Sequence, residues 1–299
     1  MIPLSIGFIG PGKVGVSLAR YFSYKNIEIS GFYGHNPKSL KEACNLTNST
    51  IFLDLKNLIT ESNIIVITTP DDTISEINKQ ISKYNLTGKS IFHTSGSLSS
   101  DILSSAENSG ASIYSIHPMF AFSNKFTDLE KLNNIYFSVE GKNVDSNSDI
   151  IKFMNSLGNK YFIRDSNSSA KYHLANVIVS NLALSLFNIG IEYLQDLGLS
   201  EKDSFEALYP LILGNIENIK NKGFNLSLTG PVSRGDISPV EKHLSVLKDK
   251  DIEIYKNLSM NLLNLKAKRE FGNNEDSFVK LLNSSEKFGK IYKILGGIE

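Results

Sequence analysis

The sequence predicts an α/β protein: a doubly wound, parallel-stranded domain followed by an all-α domain. Two observations predict it. In the first half, short β-type runs alternate with stretches whose apolar residues recur at helical spacing, which is the grammar of βαβ units. After Arg164 the alternation stops and helical patterns continue to the C-terminus. A chain of 299 residues suits two domains, since a domain usually holds about 100–150 residues. The expected division is 1–164 and 165–299.

The elements follow in order. Leu4–Ile9 reads as a buried strand, and the apolar start Met1–Gly10 is too short, and lacks the basic opening, for a signal peptide. Val14–Tyr24 has helical spacing at Val14, Leu18 and Phe22. Glu28–Tyr33 is a second strand. Ile64–Thr69 is an unbroken β-branched run of the kind covered on both faces. Ser90–Thr94, Ser112–His117 and Ile135–Val139 are further strands. Ser166–Leu197 is nearly free of glycine and proline and reads as helix, as do Ser200–Lys220, Ser238–Leu265 and Glu275–Leu295. Leu226–Ile237 reads as a loop, and Ser238-Pro239-Val240-Glu241 as a capping box that opens the next helix.

Composition narrows the function. Lys+Arg and Asp+Glu are both 31, which argues against a nucleic-acid surface spread over the chain. Cys44 is the single cysteine, so neither an intrachain disulfide nor a multi-cysteine metal cluster is possible, and no metal is expected. No apolar run reaches the roughly 18 residues of a membrane span. A soluble cytoplasmic protein without a membrane partner is the expectation.

Gly-x-Gly-x-x-Gly stands at Gly10, Gly12 and Gly15, after a strand and opening a helix, which is the context a dinucleotide site requires. Gly10 permits the turn, Gly12 the approach of a pyrophosphate, and Gly15 close helix–sheet packing. With Pro11, Lys13 and Val14, these residues are the expected phosphate cradle, backed by the positive end of the helix. A ligand-free glycine turn is the alternative. The second strand ends Tyr33-Gly34-His35-Asn36 with no carboxylate for a ribose 2′-hydroxyl. His35 and Asn36 tolerate a 2′-phosphate, so NADP(H) is preferred to NAD.

Ligands of open α/β sheets bind beyond the carboxyl ends of the strands. Three such ends are polar: Thr69-Pro70-Asp71-Asp72, His93-Thr94-Ser95-Gly96 and His117-Pro118-Met119-Phe120. Each is also good turn chemistry. Thr69, Pro70 and Thr94 are taken as cofactor-lining. His93 and His117 are read as functional, since a ketone reduced by hydride needs a proton donor that titrates near neutrality. Ser95 can polarise a carbonyl by hydrogen bonding. The helical run that follows carries Lys171, His173, Asn176, Ser180 and Asn181, with His173 and Ser180 nearly on one face. Such a polar stripe needs partners, in a crevice or in a neighbouring helix. In Thr229–Asp236, Arg234 can clamp a substrate carboxylate; the alternative is a turn closed by an Arg234–Asp236 pair.

Gly10–Gly15, Thr69–Asp72, His93–Gly96, Ser115–Pro118, Tyr172-His173 with Ser180-Asn181, and Thr229-Gly230-Pro231 with Arg234-Gly235-Asp236 together resemble a known family. It joins an N-terminal Rossmann-like domain to an uncharacterised all-α C-terminal domain, within the wider clan of 6-phosphogluconate dehydrogenase-like and ketopantoate reductase-like enzymes. The resemblance spans nearly the whole chain. It implies an NADP-dependent oxidoreductase and a homodimer, with a small 2-keto acid as substrate. Some relatives act as an alternative ketopantoate reductase (2-dehydropantoate 2-reductase) in pantothenate synthesis. Conventional ketopantoate reductases place asparagines at four-residue spacing after a helix lysine. Lys171 is followed by Asn176 instead, so His173 with Asn181 is the preferred catalytic pair, beside Ser95 and His117. Arg234, Asn176 and Asp236 are the expected substrate contacts. His117-Pro118-Met119 is also similar to the His-Pro-Met segment of prephenate dehydrogenases, so a prephenate or arogenate dehydrogenase is the alternative. A non-catalytic NADPH-binding regulator is a third reading, because a glycine motif reports binding and not chemistry.

Overall fold

The computed structural model describes residues 4–142, 144–146 and 148–297. Met1–Pro3 of the apolar start lie outside them. The chain forms two compact units, Met1–Ala183 and Leu184–Glu299.

The first unit is built on an eight-stranded sheet in the order β3-β2-β1-β4-β5-β6-β7-β8. The strands are β1 Ser5–Ile9, β2 Glu28–Tyr33, β3 Thr50–Ile51, β4 Ile64–Ile67, β5 Ser90–His93, β6 Ser112–Pro118, β7 Tyr136–Glu140 and β8 Lys160–Ile163. The helices between them are α1 Lys13–Tyr24, α2 Pro37–Thr47, α3 Leu55–Thr60, α4 Asp71–Ile81, α5 Ser104–Asn108, α6 Leu129–Leu132 and α7 Asp149–Leu157. The unit closes with α8 Ser169–Val177.

The expected sheet is present, with one correction to its direction. β7 runs antiparallel to β6, pairing His117 with Ser138 and Ser115 with Glu140. A parallel neighbour needs a crossover that carries the chain back to the other end of the sheet. Between β6 and β7 the only helix is the four-residue α6, so the chain turns back. The longer α7 then makes a true crossover, and β8 lies parallel to β7. The short strands β3 and β8 are additions to the predicted set. β4 is buried along its whole length, Ile64 to Ile67, as its β-branched run predicts. Apolar clusters cover both faces of the sheet: Phe8, Phe22, Phe92 and Phe153 belong to one, and Ile9, Ile65, Ile67 and Ile91 to the other.

Strand order reverses at β1 and β4, which stand side by side. Their adjacent helices leave in opposite directions there and open a crevice at the carboxyl ends of the strands.

The second unit is helical: α9 Ala183–Asp196 (its first residue in the first unit), α10 Glu201–Ser227, α11 Pro231–Arg234, α12 Ile237–Val246, α13 Ile252–Phe271, α14 Ser277–Ser284 and α15 Glu286–Ile294. Its core gathers Val232, Val240, Leu263, Leu281 and Ile291. Three expectations are corrected here. The stretch Ser238–Leu265 is two helices, because Leu247 and Lys248 take extended backbone. Glu275–Leu295 breaks at the extended Ser285. The capping box at Ser238 does not form. Its helix starts earlier, at Ile237, with Asp236 as N-cap and no side-chain cap bond, because the Asp236 carboxylate is taken by Arg234.

The helical segment Ser166–Asp196 holds an 18-residue window with a mean hydropathy of 1.7 and no buried residue, and is long and apolar enough, by length and composition, to cross a membrane. The run escapes a residue-by-residue reading because Ser180, Asn181, Ser185 and Asn188 interrupt it. They are uncharged, so the average stays apolar. An apolar face of this size needs a cover.

Candidate functional site

The glycine turn closes as its spacing predicts. β1 ends at Ile9, and α1 begins at Lys13 behind Gly12. Gly10 has φ +110, and a Cβ there would stand 2.9 Å from the Thr68 backbone. A Cβ on Gly15 would lie 2.4 Å from both Gly10 O and Thr68 Oγ1. Packing inside the chain therefore explains Gly10 and Gly15. Gly12 is different, since the nearest atom to a Cβ there is Thr68 O at 3.9 Å. Nothing in the protein demands a glycine at that point, but a group approaching the backbone from outside does.

The same turn borders a cavity of about 370 Å³ whose wall includes Pro11, Gly12, His35, Asn36 and Thr69. Thr69 Oγ1 is buried there without a hydrogen-bond partner among the described residues, an unusual state for a hydroxyl. The helix N-terminus is uncapped by any side chain, leaving its N–H groups to the cavity. These features fit a dinucleotide, with the pyrophosphate at Gly12, Lys13 and Val14 and the adenosine end against His35. Asn36 has a structural duty as well: its Oδ1 accepts from Ser39 N at 3.0 Å and caps α2. The cavity carries one carboxylate, Glu76 of α4, whose Oε1 accepts from Gln80 Nε2.

At the end of β5 the polar residues hold one another. Ser95 Oγ and Ser97 Oγ both donate to Asp71 Oδ2 at 2.7 Å. Ser95 Oγ also accepts from the backbone N–H of Ser97 and Leu98. Its proton is thus committed to Asp71, and a bound carbonyl has to compete with that carboxylate. His93 is 0% exposed. Its Nδ1 accepts from Ser95 N, so Nε2 carries the hydrogen and donates to Ser99 O at 3.1 Å. Both ring nitrogens are spent on the loop. His93 is a structural pin, which corrects its reading as a functional group. Thr94 N donates to Ile67 O, placing Thr94 at the same strand ends.

The end of β6 is the more open chemistry. His117 Nδ1 lies 2.6 Å from the Tyr172 hydroxyl of α8. Tyr172 packs edge-on against His117 and against Phe162 of β8. Arg164, 8% exposed, follows β8 and fans three donors onto serines: Nη1 to Ser169 Oγ at 2.6 Å, Nη2 to Ser115 Oγ at 2.9 Å and Nε to Ser138 Oγ at 3.4 Å. Its guanidinium also lies 5.1 Å from the centre of the Tyr172 ring. The sheet register explains the gathering. Ser115 stands opposite Glu140, and His117 opposite Ser138, which in turn stands opposite Phe162; Arg164, just past β8, donates its backbone N–H to Val139 O. Tyr172 and Arg164 are the site residues that motif reasoning does not assign. The available signal was a charge at the end of a short β-type run and an aromatic beside His173.

Burial lowers the pKa of both His93 and His117 to about 4; for His117 the charges of His173 and Arg164 add to the effect. Each is neutral in the folded protein near neutrality, whereas the unfolded chain binds those protons below about 6.5. The folded pKa is depressed, so this stabilisation is complete above about pH 6.5 and is lost as pH falls towards about 4. Urea midpoints are expected to drop already between about pH 6.5 and 5, above the ordinary carboxylate range. A flat profile over that interval would contradict the burial of these rings.

The remaining candidates are placed as follows. Lys171, His173, Ser180 and Asn181 are exposed, and Asn176 is half-buried with its Nδ2 donating to Tyr172 O at 2.8 Å. Ile178–Leu182, which includes Ser180 and Asn181, is a π-helical turn. Each residue advances less around the axis there, so the predicted common face of His173 and Ser180 does not follow α-helical spacing. Such turns recur at functional sites. Arg234 and Asp236 lie in the second unit and pair with each other, Nε and Nη2 both 2.8 Å from Oδ2.

The fold and this crevice define a dinucleotide-binding α/β protein with an appended helical region. Residues 2–118 match the Rossmann-like domain family, and residues 135–262 match a domain of unknown function, DUF2520. The chain thus carries a Rossmann-like domain followed by a DUF2520 domain. No curated protein matches it. Among solved structures it is similar to a protein of Bacteroides fragilis described as an NADP oxidoreductase (21% identity, 87% of this chain and 97% of that one, TM-score 0.67). A Thermotoga maritima protein is 25% identical over 97% of this chain and 98% of its own, with TM-score 0.61. The pyrroline carboxylate reductase of Plasmodium falciparum, a structure with NADP bound, is 18% identical over 91% of this chain and 100% of its own, with TM-score 0.59.

Proposed function

We propose that this protein is an NADPH-dependent reductase that converts a small 2-keto acid to the 2-hydroxy acid, with ketopantoate as the first substrate to test. The observation that carries the cofactor half is Gly12, a glycine with open space above it beside the orphaned Thr69 hydroxyl. NADP-binding neighbours of the same fold support it. When bound, NADPH supplies the hydride for the carbonyl carbon. The carbonyl oxygen then takes a proton, and the chain must provide its donor. His117, half-buried, neutral near neutrality and fixed by Tyr172, is the best-held hydrogen-bond donor to that oxygen; a neutral imidazole polarises the carbonyl and does not itself serve as the acid. Ser95, His173 and Asn181 are its rivals, and Asn176 of the same unit the candidate for a contact to the rest of the substrate.

The test is NADPH oxidation with ketopantoate, run beside NAD+ reduction with prephenate. Turnover of ketopantoate supports the proposal. Turnover of prephenate alone would replace it with the dehydrogenase reading. Tight NADPH binding without turnover of any keto acid would leave a regulator.

We also propose that a second copy of the chain covers the apolar helices α9 and α10. Leu184, Leu211, Ile216 and Phe224 stand exposed there, and burial of such side chains contributes about 1.5–3 kcal/mol each. Sedimentation is expected to give a dimer, and Ile216→Glu a smaller species. A wild-type monomer at micromolar concentration would overturn this.

A further inference from the structure

We infer that Tyr172 is a positioning residue that holds His117 as the Nε2–H tautomer, so that Nε2 is a fixed hydrogen-bond donor of the crevice. The argument starts from Arg164, because a guanidinium has donors and no acceptor. Ser138 Oγ, 3.4 Å from Arg164 Nε, therefore accepts. A hydroxyl that accepts from a cation keeps its own proton to give. Ser138 stands opposite His117 in the antiparallel pair, and its side chain, like that of Asn176, works against the rise that burial gives the Tyr172 pKa. A phenol is the stronger acid and an imidazole nitrogen the stronger base. Across the 2.6 Å contact it is therefore Tyr172 that donates and His117 Nδ1 that accepts. A neutral imidazole that accepts at Nδ1 carries its hydrogen at Nε2.

Three further observations agree. Burial raises the pKa of Tyr172, so the phenol retains the proton that the chain of bonds requires. The guanidinium 5.1 Å from the ring centre stabilises the negative charge that the oxygen gains as it donates, which strengthens the bond. Gly96 backs the Nε2 side of the ring without a side chain: a Cβ at that position would stand 3.1–3.3 Å from Cδ2, Nε2 and Cε1 of His117 and crowd it. The charged and titratable groups acting on His117 are His173, Arg164, Asp71 and His93, and none of them accepts at Nδ1 in place of Tyr172.

The row structure of the sheet makes this arrangement rigid. Ser138 sits opposite His117 in the antiparallel pair, so relay and donor share one backbone ladder. Tyr172 arrives from α8 and is wedged by Phe162 and His117. The donor is thereby set before substrate arrives, which is where preorganised electrostatics has its effect. Use of Nε2–H on a substrate carbonyl rests on the reductase reading above; the tautomer does not.

The experiment is nitrogen NMR of the full-length protein labelled at histidine, with His117→Gln used to assign its signals. The wild type is expected to show His117 with a protonated Nε2 and an unprotonated Nδ1. In Tyr172→Phe, which keeps the ring and its packing, the two nitrogens are expected to move towards averaged signals. Ser138→Ala is expected to move them in the same direction by a smaller amount. A wild-type His117 protonated at Nδ1, or signals unchanged in Tyr172→Phe, would overturn the inference. With a keto acid that is turned over, Tyr172→Phe is expected to lower kcat by about ten-fold while KM stays within about two-fold. An Nε2–H ring in a protein that reduces no keto acid supports the tautomer and counts against the reductase reading alone.

Discussion

Gly12→Asp is expected to give a folded protein that has lost NADPH. The Cβ has room, its nearest neighbour being Thr68 O at 3.9 Å, so the thermal midpoint should stay close to wild type. The carboxylate then occupies the approach to the helix N-terminus, where the pyrophosphate would sit. Two unit charges at about 4 Å repel by about 4 kcal/mol in an environment of effective dielectric about 20. The dissociation constant should therefore rise at least about 100-fold. Titration of NADPH fluorescence measures it, with the melting curve as control. Gly15→Ala is the contrasting variant, since its Cβ meets two atoms at 2.4 Å and should destabilise the fold by about 1–3 kcal/mol. Unchanged NADPH affinity in a folded Gly12→Asp protein would show that the turn is only a turn.

The second large effect is expected at Arg164. Arg164→Met keeps much of the side-chain volume and removes every donor. Ser115, Ser138 and Ser169 lose a charged partner. Glu140, 2% exposed and holding Ser100 through its backbone N–H and its hydroxyl, loses the cation whose field acts on it. Removing one member of such a buried charge arrangement costs about 3–5 kcal/mol, because the other charge stays buried. Urea unfolding of the purified protein measures this. Arg164→Lys should recover little of it, since an ammonium cannot reproduce three donors spread in a plane. A loss below about 1 kcal/mol would mean that the serines and Glu140 satisfy one another without the guanidinium.

Most of the sheet was legible from the chain. Ile64–Ile67 announces a covered strand by being β-branched throughout, and Gly10–Gly15 announces the first turn by its spacing between a strand and a helix. Each signal lies within one or two turns of backbone. The antiparallel β7 was not legible, because strand direction depends on whether the preceding segment holds a crossover, and α6 is only four residues long. The π-helical turn at Ile178–Leu182 was hidden for a similar reason. Its residues are ordinary helix formers, and packing chooses between two windings of similar energy.

The same divide runs through the site. Gly10, Gly12, Gly15 and the missing acid after Tyr33 are local facts, and the sequence by itself determined the dinucleotide crevice from them. It also singled out His93, Ser95 and His117 at strand ends, where side chains meet ligands. Only the tertiary structure shows how each of the three is held. His93 is spent on Ser95 and Ser99, Ser95 is spent on Asp71, and His117 faces Tyr172 from a neighbouring element. The physical reason is that a hydrogen bond between residues 55 positions apart leaves no trace in local spacing. A buried polar group must nonetheless find its partner wherever the folded chain puts one.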